Sequence, residues 1–270
     1  MKDRIQPDEL TAVVLCGGQG TRMGSLTQET PKSLVDVQGR PIIWYIVSRL
    51  YLSGLRRFIL PVGYLGHQIS SYVDATFGDL DCEILCVDTG PETPIGQRIH
   101  QVRQYLPEQG SILLTNGDAL FDLDAAEMWV SHRAADVAIT FATVETISKY
   151  GLVVVEDGRI AGFERDSRVS GFQISGEHGI NTGLVYSGIC MLRTQSLKMV
   201  DIANSRNFEA ELFPALIAEE GTAQYEIQGF WHSIDTPKDL ANITTGAGTN
   251  PSVAEPATRL KDMLETALKP

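Results

Sequence analysis

The first half of the chain alternates short apolar runs with segments whose apolar residues recur every three or four positions. Residues 11–16 form a continuous apolar run of the kind that is buried on both faces of a parallel sheet. Similar runs predict further strands at 58–62, 82–87 and 111–115, and the periodic segments predict helices at 42–52, 65–77 and 96–106. This order predicts a doubly wound, mostly parallel sheet, whose ligands bind beyond the carboxyl ends of the strands.

The second half has a different pattern, with several strands in succession. The predicted strands are 136–144, 151–156, 159–164, 184–192 and 223–227, with a helix at 208–220. Asp157-Gly158 is typical of a tight hairpin turn, so this part should contain a hairpin that covers the ligand edge of the sheet. The fold class is therefore α/β, a Rossmann-like doubly wound mixed sheet with β-hairpin insertions and a C-terminal helix.

The composition of the chain changes near its C-terminal end. We predict one domain over 8–242, and a linker with a C-terminal helix over 243–270. Residues 244–256 are rich in Gly, Thr, Ser, Ala and Pro, which is typical of a linker. The stripe of Leu260, Leu264 and Leu268 that follows predicts a helix docked on this subunit or on a neighbour.

Composition and charge exclude several classes of partner. The chain has 270 residues, 43% of them hydrophobic, a formal net charge of −12 and a pI near 4.8. This balance argues against general binding to nucleic acid or to anionic membranes. No apolar run approaches the roughly 20 residues of a membrane helix, and the charged start does not resemble a signal peptide, so we expect a cytoplasmic protein. The four cysteines lie in or beside apolar runs and are predicted to be buried thiols.

A glycine-rich loop after the first predicted strand is the most informative segment. It reads Leu15-Cys16-Gly17-Gly18-Gln19-Gly20-Thr21-Arg22-Met23, and Pro31-Lys32 follows shortly after. Glycines there let backbone N–H groups approach phosphate oxygens, while Arg22 and Lys32 supply positive charge. The loop is neither a P-loop nor a complete dinucleotide fingerprint, so an ordinary glycine-rich turn is the alternative.

Two aspartates are candidates for a metal site. Asp118 follows the strand predicted at 111–115, where a parallel sheet presents ligands, and carboxylates suit a hard cation such as Mg²⁺. Asp235 precedes Thr236-Pro237, which is typical of a helix start. Each aspartate has an alternative interpretation as a helix cap.

The glycine-rich loop with Pro31-Lys32 resembles the signature of the sugar-1-phosphate nucleotidyltransferase family, and the resemblance extends from about residue 12 to about 240. Local stretches such as Val87-Asp88-Thr89-Gly90 and Gly229-Phe230-Trp231 are most similar to glucose-1-phosphate cytidylyltransferases. The resemblance implies transfer of a nucleotide from a nucleoside triphosphate to a sugar 1-phosphate. It implies Mg²⁺ held by Asp118 and Asp235, with Arg22 and Lys32 catalytic. The implied nucleotide-binding residues are Leu15, Gly17, Gly18, Gly20, Thr21, Gly96 and Gly117.

On the sugar side the family pattern is only partly kept. The resemblance places Gly151, Glu164 and Arg165 on the sugar phosphate, with Arg165 where the family has lysine. A solvated ion pair on a hairpin is the alternative for Glu164 and Arg165. A second departure lies around Gly96, where Ile95 and Gln97 replace family residues near the base and sugar.

The chemistry agrees with this set of residues. The attacking oxygen of a sugar phosphate is already anionic, so the enzyme must align two phosphates and neutralise their charge, without a general base. Three alternatives stay open: the same reaction with UTP, GTP or dTTP, a phosphate that is not a hexose, and an inactive regulatory module that binds nucleotide sugars. The sequence also leaves open whether the protein is a homo-oligomer.

Overall fold

The computed structural model describes residues 5–148, 152–164, 168–169, 171–176, 179–205, 207–219, 221–245 and 251–269. The α-helices in these residues are α1 (Ile42–Leu52), α2 (Gly66–Phe77), α3 (Ile95–Val102), α4 (Ala125–Ala135), α5 (Phe208–Glu219), α6 (Pro237–Thr245) and α7 (Pro251–Ala267). The strands are β1 (Leu10–Leu15), β2 (Asp36–Val37), β3 (Arg40–Pro41), β4 (Arg57–Val62), β5 (Glu83–Asp88), β6 (Ser111–Asn116), β7 (Ala119–Phe121), β8 (Ile139–Val144), β9 (Thr146–Ile147), β10 (Leu152–Glu156), β11 (Arg159–Glu164), β12 (Arg168–Val169), β13 (Phe172–Gly176), β14 (Gly179–Gly183), β15 (Val185–Arg193), β16 (Thr222–Glu226) and β17 (Trp231–Ser233).

A mixed sheet of seven strands forms the centre of the molecule, in the order β16-β8-β15-β6-β1-β4-β5. Strands β6, β1, β4 and β5 are parallel to one another. Strand β15 is antiparallel to both of its neighbours, β6 and β8, and β16 runs parallel to β8. The predicted doubly wound, mostly parallel sheet is confirmed.

Helices cover both faces of this sheet because successive side chains of each strand point to opposite faces. In β1, Ala12 and Val14 lie in a core cluster with α1, α2 and α7. Val13, between them, lies in a second cluster with α3 and α5. The uninterrupted apolar run of β1 is therefore explained by burial on both sides, and the carboxyl ends of the parallel strands are left free to carry a site.

The predicted start of one strand was wrong, and one helix was not predicted. The strand predicted at 136–144 begins only at Ile139, because α4 precedes it and ends at Asp136, whose φ is 50°. Helix α4 was not predicted, although Asp124 caps it by accepting hydrogen bonds from the N–H groups of Ala126 and Glu127, both at 3.1 Å. The turn predicted at Asp157-Gly158 is confirmed, with both residues at positive φ between β10 and β11.

The C-terminal helix docks on its own chain. Part of the predicted linker is helical, since α7 begins at Pro251, and α6 extends across residue 242. The Gln38 side chain, in the turn between β2 and β3, donates to the carbonyl oxygens of Ile243 at 2.8 Å and Ala254 at 3.1 Å. Arg40 forms a salt bridge of 2.9 Å with Glu265. None of the helices in the described part of the chain is long and apolar enough to cross a membrane.

Candidate active site

The two candidate metal-binding aspartates lie side by side because a small antiparallel ladder joins their segments. Strand β7 pairs with β17, with Ser233 opposite Ala119. The Ile234 N–H then donates to the Asp118 carbonyl oxygen at 2.9 Å. Asp118 precedes β7 and Asp235 follows β17, so the antiparallel pairing brings both carboxylates to the edge of the main sheet where β6 ends.

Lys32 joins the two aspartates. Its Nζ atom lies 2.7 Å from Asp118 Oδ2 and 3.1 Å from Asp235 Oδ1. Only 12% of its side chain is exposed. A short 3₁₀ turn holds this position, since the Leu34 N–H donates to the Pro31 carbonyl at 2.8 Å. The interaction spans 203 positions of the chain for Asp235, so tertiary folding alone assembles it.

Arg22 completes the cluster from the glycine-rich loop. Its terminal nitrogen lies 3.0 Å from Asp235 Oδ1, while 70% of its side chain remains exposed. Two cations therefore face two carboxylates, and the exposed guanidinium can turn towards an incoming phosphate. The four residues predicted from separate segments, Arg22, Lys32, Asp118 and Asp235, are brought together.

The sequence interpretation missed a residue that holds Asp235 in place. Asp239 is buried, and its Oδ2 accepts hydrogen bonds from the N–H of Asp235 at 3.1 Å and of Thr236 at 2.9 Å. The Asp239 N–H donates in return to the Thr236 hydroxyl at 3.2 Å. This reciprocal pair is a capping box at the start of α6. Its sequence signal, a threonine followed three residues later by an aspartate, was available.

The glycines of the loop serve different purposes. Gly20 has a φ of 65°, and a Cβ atom there would lie 3.0 Å from the Cβ of Lys32, so this position favours glycine on both counts. A Cβ atom at Gly17 would lie only 2.1 Å from the guanidinium of Arg98. Gly18 is exposed, and a Cβ atom there would meet nothing within 4 Å. Gly18 therefore has open space before it for a ligand.

The other four predicted nucleotide-binding residues differ in their surroundings. Leu15 ends β1, and its carbonyl accepts from the Gly117 N–H at 3.1 Å. A Cβ atom at Gly117 would lie 2.6 Å from that same oxygen, and one at Gly96 would lie 2.5 Å from the carbonyl oxygen of Ile202. Thr21 is exposed. Close packing thus explains Gly117 and Gly96, and their contact with a nucleotide stays a prediction.

The predicted sugar-phosphate residues are described only in part. Glu164 is exposed at the end of β11, where it pairs with Leu152 of β10. Gly151 and Arg165 lie outside the described residues. The predicted roles of all three in sugar binding therefore stay predictions.

The aspartate pair suits a shared hard cation. Within the described ranges, no group of three or more His, Cys, Asp or Glu residues could hold a metal ion by itself. Asp118 and Asp235, however, both reach one cationic nitrogen, that of Lys32, at 2.7 and 3.1 Å. Two carboxylates with this common focus fit an Mg²⁺ that takes its remaining oxygens from substrate phosphates and water.

Comparison with known proteins gives the family of the chain. The nucleotidyl transferase family model matches residues 11–249, which include all four clustered residues. The chain belongs to this family. The transferase is 28% identical over 253 residues to a probable glucose-1-phosphate cytidylyltransferase of Bacillus subtilis, covering 87% of this chain and 94% of that protein.

One further relative has a different named activity, and one solved structure has a similar fold. The transferase is 31% identical over 238 residues to the mannose-1-phosphate guanylyltransferase catalytic subunit beta of Danio rerio, covering 86% of this chain and 62% of that protein. Its fold is similar to the crystal structure of HddC from Yersinia pseudotuberculosis complexed with GMP-PN, with a TM-score of 0.63 and 21% identity. That match covers 86% of this chain and 96% of the other. The predicted family and fold are confirmed.

Proposed function

We propose that this transferase joins a nucleoside triphosphate, with CTP preferred, to a sugar 1-phosphate, releasing pyrophosphate and requiring Mg²⁺. The convergence of Arg22, Lys32, Asp118 and Asp235 carries the proposal. A module that only binds nucleotide sugars would not need two cations and two carboxylates at one point.

The side chains of this cluster suit phosphoryl-type transfer. A sugar phosphate is a dianion at neutral pH, so the catalyst must hold two polyanions together and align one oxygen with the α-phosphorus. Lys32, held between two segments of the chain, is placed to draw both phosphates together. Arg22, whose side chain is largely exposed, is placed to neutralise the charge that develops on the departing pyrophosphate.

The metal would be held by Asp118 and Asp235 and would polarise the phosphate oxygens of the triphosphate. Lys32 contacts both carboxylates, so a divalent cation held by them would compete with its ammonium group and would leave that group free to bind phosphate. Two carboxylates balance two cations before any ligand arrives, so an added divalent cation would make the cluster positive and suited to bound phosphates.

The preference for CTP rests on two observations. The motifs around Val87-Asp88-Thr89-Gly90 and Gly229-Phe230-Trp231 are similar to those of cytidylyltransferases. The Bacillus subtilis relative, which this chain matches over nearly its whole length, is named a probable cytidylyltransferase. Because another relative is named a mannose-1-phosphate guanylyltransferase, GTP with mannose 1-phosphate is the second substrate pair to be tested.

The deciding experiment is a grid of CTP, UTP, GTP, dTTP and ATP against several sugar 1-phosphates, with and without Mg²⁺, followed by pyrophosphate release. We expect pyrophosphate only when Mg²⁺ and both substrates are present, with the highest kcat/KM for CTP. If no pair yields pyrophosphate while nucleotide sugars bind tightly, the protein is a binding module and the proposed activity is wrong.

A further inference from the structure

A buried arginine lies beneath the glycine-rich loop. Arg98, on α3, is only 4% exposed. Burial lowers the pKa of its guanidinium, while the nearby carboxylate of Asp88 acts in the opposite direction. Burying a cation is costly unless it is fully hydrogen-bonded, so this position needs a specific explanation.

The hydrogen bonds of Arg98 join three segments of the chain. One terminal nitrogen, Nη1, donates to the Thr89 hydroxyl at 2.5 Å and to the Val62 carbonyl at 3.3 Å. The other, Nη2, donates to the carbonyl oxygens of Gly17 at 3.0 Å and Pro91 at 3.2 Å. The guanidinium thus ties the loop after β1 to the ends of β4 and β5.

The terminal N–H groups of Arg98 are engaged in hydrogen bonds within the protein. Each terminal nitrogen of a guanidinium carries two N–H groups, and each donates twice here. Glycines make the space for this group, because a Cβ atom at Gly17 or Gly63 would lie 2.1 or 2.5 Å from Nη1. Arg98 is therefore placed to act on the loop and not as a direct ligand of the substrate.

The contact with Gly17 sets the direction of one peptide group. The Gly17 carbonyl accepts from Arg98 and also from the Tyr64 N–H at 3.1 Å, so it is held towards the interior. In a planar trans peptide the N–H of the next residue points opposite to this carbonyl. The Gly18 N–H is thereby directed away from the interior, and Gly18 itself is exposed.

We propose that Arg98 is a positioning residue that fixes the peptide between Gly17 and Gly18, so that the Gly18 N–H is preset as a hydrogen-bond donor to a phosphate of the nucleoside triphosphate. The inference rests on the proposed function. A donor that is already oriented binds an anion without the entropy cost of ordering the loop, and it acts on triphosphate binding before any sugar phosphate is present.

The test compares two buried arginines. Arg56 is also 4% exposed and also donates to backbone carbonyls, those of Tyr51 at 2.9 Å and Leu55 at 2.8 Å. It precedes β4 and so lies at the opposite edge of the sheet from the loop. Arg98→Lys and Arg56→Lys each keep the charge and lose the forked geometry, so both should lower the melting temperature.

The dissociation constant is measured by calorimetry with whichever nucleoside triphosphate the wild-type enzyme turns over fastest. We expect about a tenfold or larger increase for Arg98→Lys and an unchanged value for Arg56→Lys, since a charge-assisted hydrogen bond that orients a donor is lost only in the first. An equal effect of the two variants, or an unchanged value for Arg98→Lys, would overturn the inference while wild-type activity leaves the proposed function standing.

A milder pair keeps the question answerable if Arg98→Lys fails to fold. Thr89→Val removes the hydroxyl that accepts from Arg98, whereas Thr89→Ser keeps it. Triphosphate binding should weaken about threefold in Thr89→Val and stay near the wild-type value in Thr89→Ser. Equal binding by the two variants would count against Arg98 as a positioning residue.

Discussion

The ammonium group of Lys32 lies 2.7 Å from the carboxylate of Asp118, although the two residues are 86 positions apart in the chain. The same nitrogen lies 3.1 Å from Asp235. The lysine therefore occupies the point on which the two candidate metal ligands converge. This arrangement makes the contributions of the lysine and of the aspartates separable by experiment.

Replacing Lys32 by alanine should reduce turnover more than nucleotide affinity. A positive charge shared by two phosphates stabilises the transition state, in which both are drawn together, more than the bound nucleotide alone. In its absence kcat should fall about a hundredfold. The dissociation constant of the triphosphate should rise less than about tenfold. Steady-state kinetics and calorimetry measure the two effects, with Lys198→Ala, an exposed lysine, as the control. Unchanged turnover with weaker binding would mean that Lys32 only holds the triphosphate.

Asp118→Asn and Asp235→Asn should each keep the fold and lower turnover by about two orders of magnitude or more. Each change removes a charged ligand from the proposed metal. The assay is pyrophosphate release over a Mg²⁺ titration, with circular dichroism to check the fold. Asp79→Asn, an exposed aspartate after α2, is the matched control. Near-normal turnover at saturating Mg²⁺ would refute the metal role of the residue concerned.

The base preference should appear as a difference of about tenfold or more in kcat/KM between CTP and UTP. Cytosine has an exocyclic amine where uracil has a carbonyl, so a site built for one leaves a group unpaired with the other, at roughly 1–3 kcal/mol. The comparison is made at a saturating concentration of the best sugar 1-phosphate. A higher kcat/KM for UTP, GTP or dTTP would make the cytidylyl assignment wrong.

Two glycines of the site should differ in their effect on stability. In Gly117→Ala the new methyl group would lie 2.6 Å from the Leu15 carbonyl, which neither strand end can easily avoid, so unfolding should become easier by about 1–3 kcal/mol. In Gly18→Ala the methyl group meets open space, and the change should stay within about 0.5 kcal/mol. Urea unfolding of both variants gives the comparison. Equal losses would contradict the packing role of Gly117.

Acid should destabilise the protein partly through His132. Burial, with a further contribution from Arg193, lowers the pKa of His132 from 6.5 to about 4. The unfolded chain protonates this residue near its ordinary pKa, so the stability it contributes is present above pH 6.5 and is lost as the pH falls towards 4. The free energy of unfolding should decrease less between pH 7 and pH 5 in His132→Gln than in His67→Gln, an exposed control. The same pH dependence in both would show that His132 does not contribute.

Local patterns were sufficient to predict the main strands of the sheet, whereas the family resemblance was needed to choose the four clustered residues. The apolar run of β1 and the glycines, Arg22 and Lys32 that follow it are read directly from neighbouring positions. Arg98 and Asp239 act through contacts whose geometry no spacing reveals, since Arg98 reaches Gly17 across 81 positions. Short ladders such as β7 with β17 were missed for a different reason, because three-residue strands carry too little periodicity to be recognised.

The place of β15 between β6 and β8 has a consequence for how the chain emerges from the ribosome. Strand β8 ends at Val144 and has no partner on its β6 side until β15, which begins at Val185, has been made. At about 5–20 residues per second, the intervening segment takes roughly 2 to 8 s to synthesise. During that interval the backbone N–H and C=O groups on one edge of β6 are unpaired, so the nascent protein can pair with other chains through this edge. Chaperone occupancy should therefore be highest while the insertion between these two strands is translated.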